Sequence, residues 1–319
     1  MVSHPPAPLV SVVIPIHNRA QTISAAITSV LQQSMQDCEI IVVDDGSTDD
    51  GRQRVMSLDD ARIRYIYQPN SGANSARNHG IDLARGRYVA LLDSDDRFLQ
   101  GHLERSLAAL SQAPEAVVFA RVIVDRGSGL KFLKPPRAPR RDEKICEYVM
   151  SDKGFMQTST LVVATSTARR VRYLDWLKCG QDTDFAVRLA DAGFSFVMLE
   201  EPGAIWRDLA DETRISAGAH PEHLLFWLDY VRPFVTEKAL IGYRGWHVAR
   251  ALALRHQKLL ALRYFVAAVV RRCYSPGLAT QILFQILLAG RPYRTAVNFL
   301  RRRKFGVANN AGLHGSTKR

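Results

Sequence analysis

The amino-acid sequence predicts an α/β domain built on a doubly wound, mainly parallel sheet with helices on both faces, followed by a basic helical extension. Two observations predict the domain. Short apolar runs alternate with segments of helical periodicity, and polar residues follow directly after several of these runs. A change to helical, basic and apolar character after about residue 221 predicts the extension. We therefore divide the chain into residues 1–220 and residues 221–319.

The strands and helices of the domain are predicted in order from hydrophobic periodicity. Residues 9–16 form an apolar run rich in β-branched residues, which is typical of a buried strand, and the apolar positions of residues 19–33 repeat at helical spacing. The same criteria predict further strands at residues 39–43, 63–67, 88–92, 116–124, 158–164 and 195–199. They predict further helices at residues 71–84, 99–110 and 183–192, with Ser71 as the N-cap of the first.

Charge is distributed unevenly along the chain. The net charge is +12, but the segment from Arg232 to the C-terminus holds 17 basic residues and one acidic residue, whereas the part before it holds 26 basic and 30 acidic residues. A strongly basic segment suggests a polyanionic partner, either anionic lipid or nucleic acid. Within it, residues 247–272 and 277–300 are predicted to be amphipathic helical stretches. They either lie on a membrane surface or pack on the domain, and these two interpretations are compatible.

Three further features bear on location. The longest stretch without charged residues, 273–290, is interrupted by Pro276, Gly277 and polar side chains, which a bilayer-spanning helix would avoid. The four cysteines are far apart in sequence, which indicates a reducing compartment rather than a disulfide framework. The first eight residues lack the pattern of a signal peptide. We therefore expect a cytoplasmic protein that binds peripherally to the inner face of the cell membrane.

Polar clusters follow three of the predicted strands at the point where each strand ends. They are His17-Asn18-Arg19, Asp44-Asp45-Gly46-Ser47 and Asp93-Ser94-Asp95-Asp96. Ligands of parallel sheets bind at the carboxyl ends of the strands. Five aspartates there would repel one another without a cation or hydrogen-bond donors, and carboxylates are ligands that Mg²⁺ and Mn²⁺ prefer. Turn formation and helix capping would explain one such cluster. Two clusters separated by a βαβ-sized interval favour a site for a metal and a nucleoside diphosphate.

Four segments, in this order and spacing, resemble the inverting family 2 glycosyltransferases, which have the GT-A fold. They are residues 10–19 (VSVVIPIHNR), 39–49 (EIIVVDDGSTD), 70–80 (NSGANSARNHG) and 86–97 (GRYVALLDSDDR). The resemblance covers roughly the first 200 residues. It implies a GT-A fold and transfer of a sugar from a nucleotide-diphosphate donor, with a uridine nucleotide favoured and thymidine or guanosine nucleotides left open.

The resemblance also implies roles for individual residues. Asp95 matches the metal-binding position, and Asp93 matches a position that faces the ribose or a metal-bound water; the metal is Mn²⁺ or Mg²⁺. Asp96 has a weaker claim, because it is also suited to cap the following helix. The residues that match nucleotide-binding positions are Pro15, His17, Arg19, Asp44, Asp45, Arg77, Asp93 and Ser94.

The implied catalytic residue comes later in the chain. Asp182 matches the family's general base at the start of a helix, although Gln181 stands where the family has glutamate. Its alternative role is that of a helix N-cap. Trp176 is a candidate for stacking on an acceptor sugar, or else a packing residue. A basic residue that approaches the diphosphate is expected at Arg207 or Arg214, and the sequence does not decide between them.

The absence of a motif narrows the expected activity. The chain has no Gln-x-x-Arg-Trp segment, which marks the processive polysaccharide synthases of the family. We therefore expect one sugar to be added per encounter, to a saccharide or lipid-linked saccharide, in the assembly of a cell-surface polysaccharide or glycolipid. The alternatives are another sugar-nucleotide enzyme, such as a nucleotidyltransferase, and a nucleic-acid-binding protein. No nucleic-acid partner is expected, because the basic segment contains no recognition motif.

Overall fold

The structure, a computed structural model, describes residues 7–127, 129, 131–209, 220–290, 293 and 295. Within these residues the strands belong to one sheet, in the order β3-β2-β1-β4-β8-β6-β9-β5, with β7 paired to β6. The strands are β1 Val10–Ile16, β2 Cys38–Asp45, β3 Ile63–Gln68, β4 Tyr88–Leu91, β5 Arg97–Phe98, β6 Val117–Asp125, β7 Lys131–Lys134, β8 Val162–Ala164 and β9 Phe196–Arg207.

Helices cover both faces of this sheet. In chain order they are α1 Ile23–Leu31, α2 Gly51–Met56, α3 Ala73–Leu83, α4 His102–Gln112, α5 Ile145–Ser151, α6 Thr165–Val171, α7 Gln181–Asp191, α8 Pro221–Val231, α9 Glu237–Tyr243, α10 Ala249–Leu254, α11 Lys258–Val270 and α12 Pro276–Leu287. A short 3₁₀ helix, Thr158–Thr160, precedes β8.

The two faces of the central strands bury separate apolar cores because successive side chains of a strand point to opposite faces. Val12 and Ile14 pack into the core that contains α1 and α4. Val13 packs on the other face, against α3. This second core continues without a break into α8–α12, so the described part of the basic extension packs on the domain. The doubly wound α/β architecture with a helical extension is thus confirmed.

The strand order creates a crevice at the edge where β1 ends. Strands β3, β2, β1 and β4 are parallel, and the chain moves outward from β1 to β2 and β3 before it returns to place β4 on the other side of β1. Strand β1 stays paired with β2 up to Ile16, but its pairing with β4 ends at Val13. The strands therefore separate beyond Val13, at the switch point where α/β proteins bind ligands.

Several boundaries differ from the sequence predictions. The strand expected at residues 158–164 begins only at Val162, because the segment before it forms the 3₁₀ helix. The helical stretch expected at residues 247–272 is interrupted after α10, where His256 has a φ of +62°. Helix α12 ends at Leu287, residues 293 and 295 are again helical, and the rest of the predicted stretch up to residue 300 lies outside the described residues. Ser71 does not cap α3; Gly72 is the N-cap.

No helix within residues 7–127, 131–209 and 220–290 is both long enough and apolar enough to cross a bilayer.

Candidate active site

The acidic pair at the end of β2 organises the neighbouring loop. Asp45 Oδ1 accepts hydrogen bonds from Gln68 Nε2 and the Ser71 amide, and Oδ2 accepts one from the Gly72 amide, each 2.8 Å long. These amides precede α3, so the carboxylate also lies at the positive end of that helix. A carboxylate oxygen has two lone pairs. Among the described residues, Asp45 Oδ2 therefore accepts one hydrogen bond and can accept a second.

Asp44 is also occupied by internal hydrogen bonds. Its Oδ1 accepts a bond of 2.8 Å from the Ser47 amide, and its Oδ2 accepts a short bond from the Tyr65 hydroxyl. Gly46 follows with a φ of +76°, and a Cβ there would lie 2.8 Å from the Asn70 amide nitrogen. The turn after β2 therefore requires glycine, both for its backbone conformation and for the close approach of the loop before α3.

The end of β1 presents one aromatic and one basic side chain. Pro15 is buried within the strand, whereas His17 is exposed and its Nδ1 donates a hydrogen bond of 2.9 Å to the Asp45 carbonyl. Asn70 Nδ2 lies 3.3 Å from the same ring, which fixes it over the loop. The Arg19 side chain makes no hydrogen bond or ion pair with any residue that the structure describes, so its guanidinium is available to a ligand.

The end of β4 is linked to α3 by an ion pair. Arg77 is buried on α3, and its Nη2 donates a hydrogen bond of 2.6 Å to Asp93 Oδ1. Its Nη1 donates to Asn74 Oδ1 at 3.0 Å, and its guanidinium lies 5.3 Å from the centre of the Tyr173 ring. The Arg77 Nε is buried and has no hydrogen-bond partner among the described residues. One donor of this buried guanidinium is therefore left unsatisfied by the described residues.

Asp96 connects three parts of the fold rather than capping a helix. Its Oδ2 accepts hydrogen bonds from Gln157 Nε2 at 2.9 Å and from Ser159 Oγ at 2.7 Å, and its Oδ1 accepts one from the Arg207 amide at 3.1 Å. Burial, together with the charges of Asp93 and Asp95, raises the pKa of Asp96 well above its usual value. The alternative role considered for Asp96, capping of the following helix, is wrong, because the N-cap of α4 is Gly101.

Asp182 lies in the first turn of α7, beside the Asp93–Arg77 pair. The Thr158 hydroxyl donates a short hydrogen bond to Asp182 Oδ1. Burial and then the neighbouring Asp93 carboxylate raise the pKa of Asp182 to about 6, although Thr158 and Arg77 act in the opposite direction. The N-cap of α7 is Gly180, so capping does not explain this aspartate. A partly exposed carboxylate with a pKa close to neutrality is suited to accept a proton.

Asp184, two residues further along α7, has a different environment. It is fully buried, and its Oδ2 accepts a hydrogen bond of 2.8 Å from Arg188 Nε. Its Oδ1 accepts one of 2.9 Å from Trp227 Nε1 on α8. Asp184 therefore holds the first helix of the extension against α7, and its contacts are separate from those of Asp182.

The other candidates have the following positions. Ser94 is buried and Asp95 is partly buried beside it, at the end of β4. The Arg207 backbone contacts Asp96, which places this residue next to the β4 cluster. Arg214 lies outside the described residues. Trp176 is exposed, in contact with two aromatic side chains of α8.

The acidic residues fit a metal that arrives with a phosphate ligand. Among the described residues, no three His, Cys, Asp or Glu side chains are arranged to hold an ion by themselves. Asp44 and Asp45 are buried and hold internal donors, whereas Asp93 and Asp95 at the end of β4 are only partly buried. Mg²⁺ is commonly bound by one or two carboxylates, with water and substrate phosphates completing its coordination. The donor set matches that arrangement.

The polar residues that connect the site were missed by the sequence analysis. Asn74 Nδ2 donates to the carbonyls of Leu174 and Leu177, at 2.7 and 2.9 Å, and Asn78 exchanges hydrogen bonds with the backbone of Tyr173. Asn74, Arg77, Asn78 and Ile81 have the spacing of one helix face. Polar residues at three of these four positions, where a helix that packs on a sheet usually has apolar ones, were the signal that could have identified Asn74 and Asn78. Gln157, Thr158 and Ser159 gave no comparable signal.

Comparison with known proteins finds related sequences and structures. The sequence matches the family described as Glycosyl transferase family 2 over residues 11–175. It is 30% identical over 271 residues to the amylovoran biosynthesis glycosyltransferase AmsB of Erwinia amylovora, a match that covers 80% of this chain and 89% of AmsB. It is 33% identical over 132 residues to WfgD of Escherichia coli, named UDP-Glc:alpha-D-GlcNAc-diphosphoundecaprenol beta-1,3-glucosyltransferase. That match covers 40% of this chain and 52% of WfgD, so it spans about half of the relative.

The structure of S. aureus TarS 1-349 in complex with UDP-GlcNAc is similar to this one, with a TM-score of 0.63 at 18% identity over 92% of each chain. At this identity the likeness shows the fold, and the expected GT-A fold is confirmed. The family match covers more than half of the chain, and AmsB is similar over most of its length. The chain is therefore a glycosyltransferase, and it belongs to glycosyl transferase family 2.

Proposed function

We propose that this protein transfers one sugar per encounter from a UDP-linked donor to a hydroxyl group of a saccharide or lipid-linked saccharide, with inversion at the anomeric carbon. One observation carries this proposal: Asp182, with its raised pKa, lies beside the Asp93–Arg77 pair at the switch point of the sheet. A base next to a nucleotide site is the requirement for direct displacement. The names of TarS and WfgD support a uridine donor, and that of WfgD supports a lipid-linked acceptor.

In this proposal Asp182 accepts the proton of the acceptor hydroxyl as its oxygen attacks the anomeric carbon. Thr158 donates a hydrogen bond to Oδ1, which orients the carboxylate and leaves Oδ2 for the acceptor. Attack from the side opposite the leaving nucleotide inverts the configuration. The reaction needs one catalytic carboxylate, in contrast to a glycosidase with two.

Donor binding is assigned to residues at the ends of β1, β2 and β4 and on α3. Asp45 Oδ2 retains an acceptor position for the base, and the ring of His17 is fixed beside it. The Arg19 guanidinium supplies donors for phosphate, and Arg77 holds the Asp93 carboxylate in place. Asp95, with Asp93, would hold Mn²⁺ or Mg²⁺, which when bound neutralises charge on the nucleoside diphosphate. Of the two candidates for the basic residue that approaches the diphosphate, Arg207 and Arg214, only Arg207 lies within the described residues.

Thermal denaturation tests the donor and metal assignments without measuring activity. UDP with Mn²⁺ should raise the melting temperature by several degrees, because a ligand at about 100 times its Kd stabilises the folded state by about 2.7 kcal/mol. Asp95→Asn should lose the part of this shift that depends on Mn²⁺. The exposed Asp191→Asn on α7 is the matched control. An unchanged Mn²⁺ effect in Asp95→Asn would remove Asp95 from the metal site.

We also propose that the basic extension binds the surface of an anionic membrane on its cytoplasmic side. Leu259, Val266 and Val270 of α11, which we name the apolar stripe, are spaced at helical intervals on one face. Leu259 is 87% exposed and Val270 is 74% exposed. The exposed cations Lys258 and Arg263 lie on the same helix. Apolar side chains flanked by cations are typical of helices that lie in a membrane interface.

Co-sedimentation with vesicles tests this surface. The protein should bind phosphatidylglycerol-containing vesicles more tightly than pure phosphatidylcholine vesicles, and high salt should weaken the binding. Leu259→Gln with Val270→Gln should reduce binding by roughly tenfold or more, because each loses the transfer free energy of an apolar side chain. The control is Met56→Gln, an exposed apolar residue on α2. Equal binding by the double variant and the wild type would contradict the proposed role of the stripe.

A further inference from the structure

Three aromatic side chains form an exposed cluster at the start of the extension. Trp176 is 43% exposed, Phe226 65% and Tyr230 38%. The Trp176 ring meets the other two edge to face, with centroids 5.2 and 5.4 Å away. We name these three residues the aromatic shelf. These rings leave apolar surface in contact with water, and exposed apolar patches of this kind commonly mark binding sites.

The shelf is anchored to the catalytic region from both sides. On the Trp176 side, Asn74 of α3 donates hydrogen bonds to the carbonyls of Leu174 and Leu177, which flank the tryptophan. On the other side, Trp227, the neighbour of Phe226 in α8, donates to Asp184. Asp184 is two residues from Asp182 on α7. Both halves of the shelf are therefore attached to helices that carry site residues, α3 with Arg77 and α7 with Asp182.

The chemistry of the shelf differs from that of the donor site. The donor side contains Arg77, Arg19 and the carboxylates, which suit phosphate, metal and base. The shelf members carry no charge, and they offer ring faces and one hydroxyl group. The apolar C–H face of a pyranose ring packs well on aromatic rings, whereas a diphosphate gains little from them.

We infer that the aromatic shelf binds a sugar ring of the acceptor and positions its hydroxyl group for Asp182. This inference rests on the proposed function and adds the acceptor subsite to it. Phe226 and Tyr230 lie one helical turn apart on α8, so they present adjacent rings on one face. Trp176, the third member of the shelf, precedes Asp182 by six residues in the chain. The occupant is a neutral saccharide rather than the nucleotide or a lipid chain.

Saturation-transfer NMR on the full chain tests this inference, with UDP present and a panel of methyl glycosides of glucose, galactose and N-acetylglucosamine as probes. At least one glycoside should receive saturation through its ring protons. Phe226→Ala and Tyr230→Ala should each weaken this binding by about threefold to tenfold. Tyr230→Phe, which keeps the ring, should retain most of it. Leu133→Ala, which alters an exposed apolar residue on β7, should leave it unchanged.

Two further measurements distinguish the possible failures. The UDP-dependent thermal shift and vesicle binding should be the same in the alanine variants as in the wild type. Loss of the UDP shift in those variants would move the shelf to the donor site, and loss of vesicle binding alone would make it a lipid contact; either result overturns the inference. A wild-type protein that binds UDP but no glycoside also overturns it, while the proposed function stands. A wild-type protein that does not bind UDP overturns the proposed function itself.

Discussion

Replacing Asp182 with asparagine should reduce the rate of sugar transfer by about 10²–10⁴-fold, the usual contribution of a general base. Asparagine keeps the size of the side chain and can still accept the hydrogen bond from Thr158, but it cannot accept the proton of the acceptor. The loss should appear in kcat with a saturating acceptor. Donor binding, followed by the UDP-dependent thermal shift, should persist because the donor groups on α3 and at the end of β2 are unchanged.

The pH dependence provides an internal check of the same assignment. In the wild type the Asp182 carboxylate must be deprotonated to act, and its pKa is raised to about 6 by burial and by Asp93. kcat/KM should therefore fall about tenfold per pH unit below pH 6 and level off above it. The residual activity of Asp182→Asn should lack this step. Asp191→Asn on the exposed end of α7 should behave like the wild type. A variant with near-normal turnover, or with the same acidic limb, would exclude Asp182 as the base.

The parts of the fold that could be predicted from the sequence are those determined by local pattern. Strands β1, β2 and β4 are continuous β-branched or apolar runs, and burial on both faces requires that composition. The polar residues that follow these runs could be located because each cluster begins where an apolar run stops. The break after α10 was missed because it depends on His256 in a left-handed conformation, which the apolar periodicity does not reveal.

The contacts within the site were harder to predict because they join distant parts of the chain. Asn74 contacts the Leu177 carbonyl across 103 residues, and Gln157 contacts Asp96 across 61. Repulsion among the five aspartates predicted a cation or hydrogen-bond donors, and side-chain charge did not decide between the two. Backbone amides of Ser47, Ser71 and Gly72 neutralise part of that charge, and every sequence supplies backbone amides at every position except proline.

The choice of Asp182 as the general base came from the resemblance to the family, because neither hydrophobic periodicity nor charge distinguishes it from Asp184. Asp182 and Asp184 have the same side chain and lie in the same helical turn, so periodicity and composition do not separate their roles. The structure separates them by their partners. Asp182 faces Thr158 and the Asp93–Arg77 pair, whereas Asp184 is enclosed by Arg188 and Trp227.

This difference leads to the prediction with the largest effect on stability. Replacing Asp184 with alanine should lower the free energy of unfolding by about 3 kcal/mol, because it leaves the nearly buried Arg188 guanidinium without its counter-charge. It also removes the hydrogen-bond acceptor of the buried Trp227 indole. The Arg188 bonds to the carbonyls of Val171 and Arg172 remain and limit the loss. Urea denaturation of the two proteins measures the difference.

A double-mutant cycle shows whether the ion pair is the cause. Removing both charges with Asp184→Ala and Arg188→Met should cost less than the sum of the single changes, because no unpaired charge stays buried. Additive losses would contradict the ion-pair explanation. The folded fraction of Asp184→Ala should keep its transfer rate, whereas Asp182→Asn should lose its rate and keep its stability. Asp182 and Asp184 are separated only by Thr183. This opposite behaviour would assign proton transfer to Asp182 and attachment of the extension to Asp184.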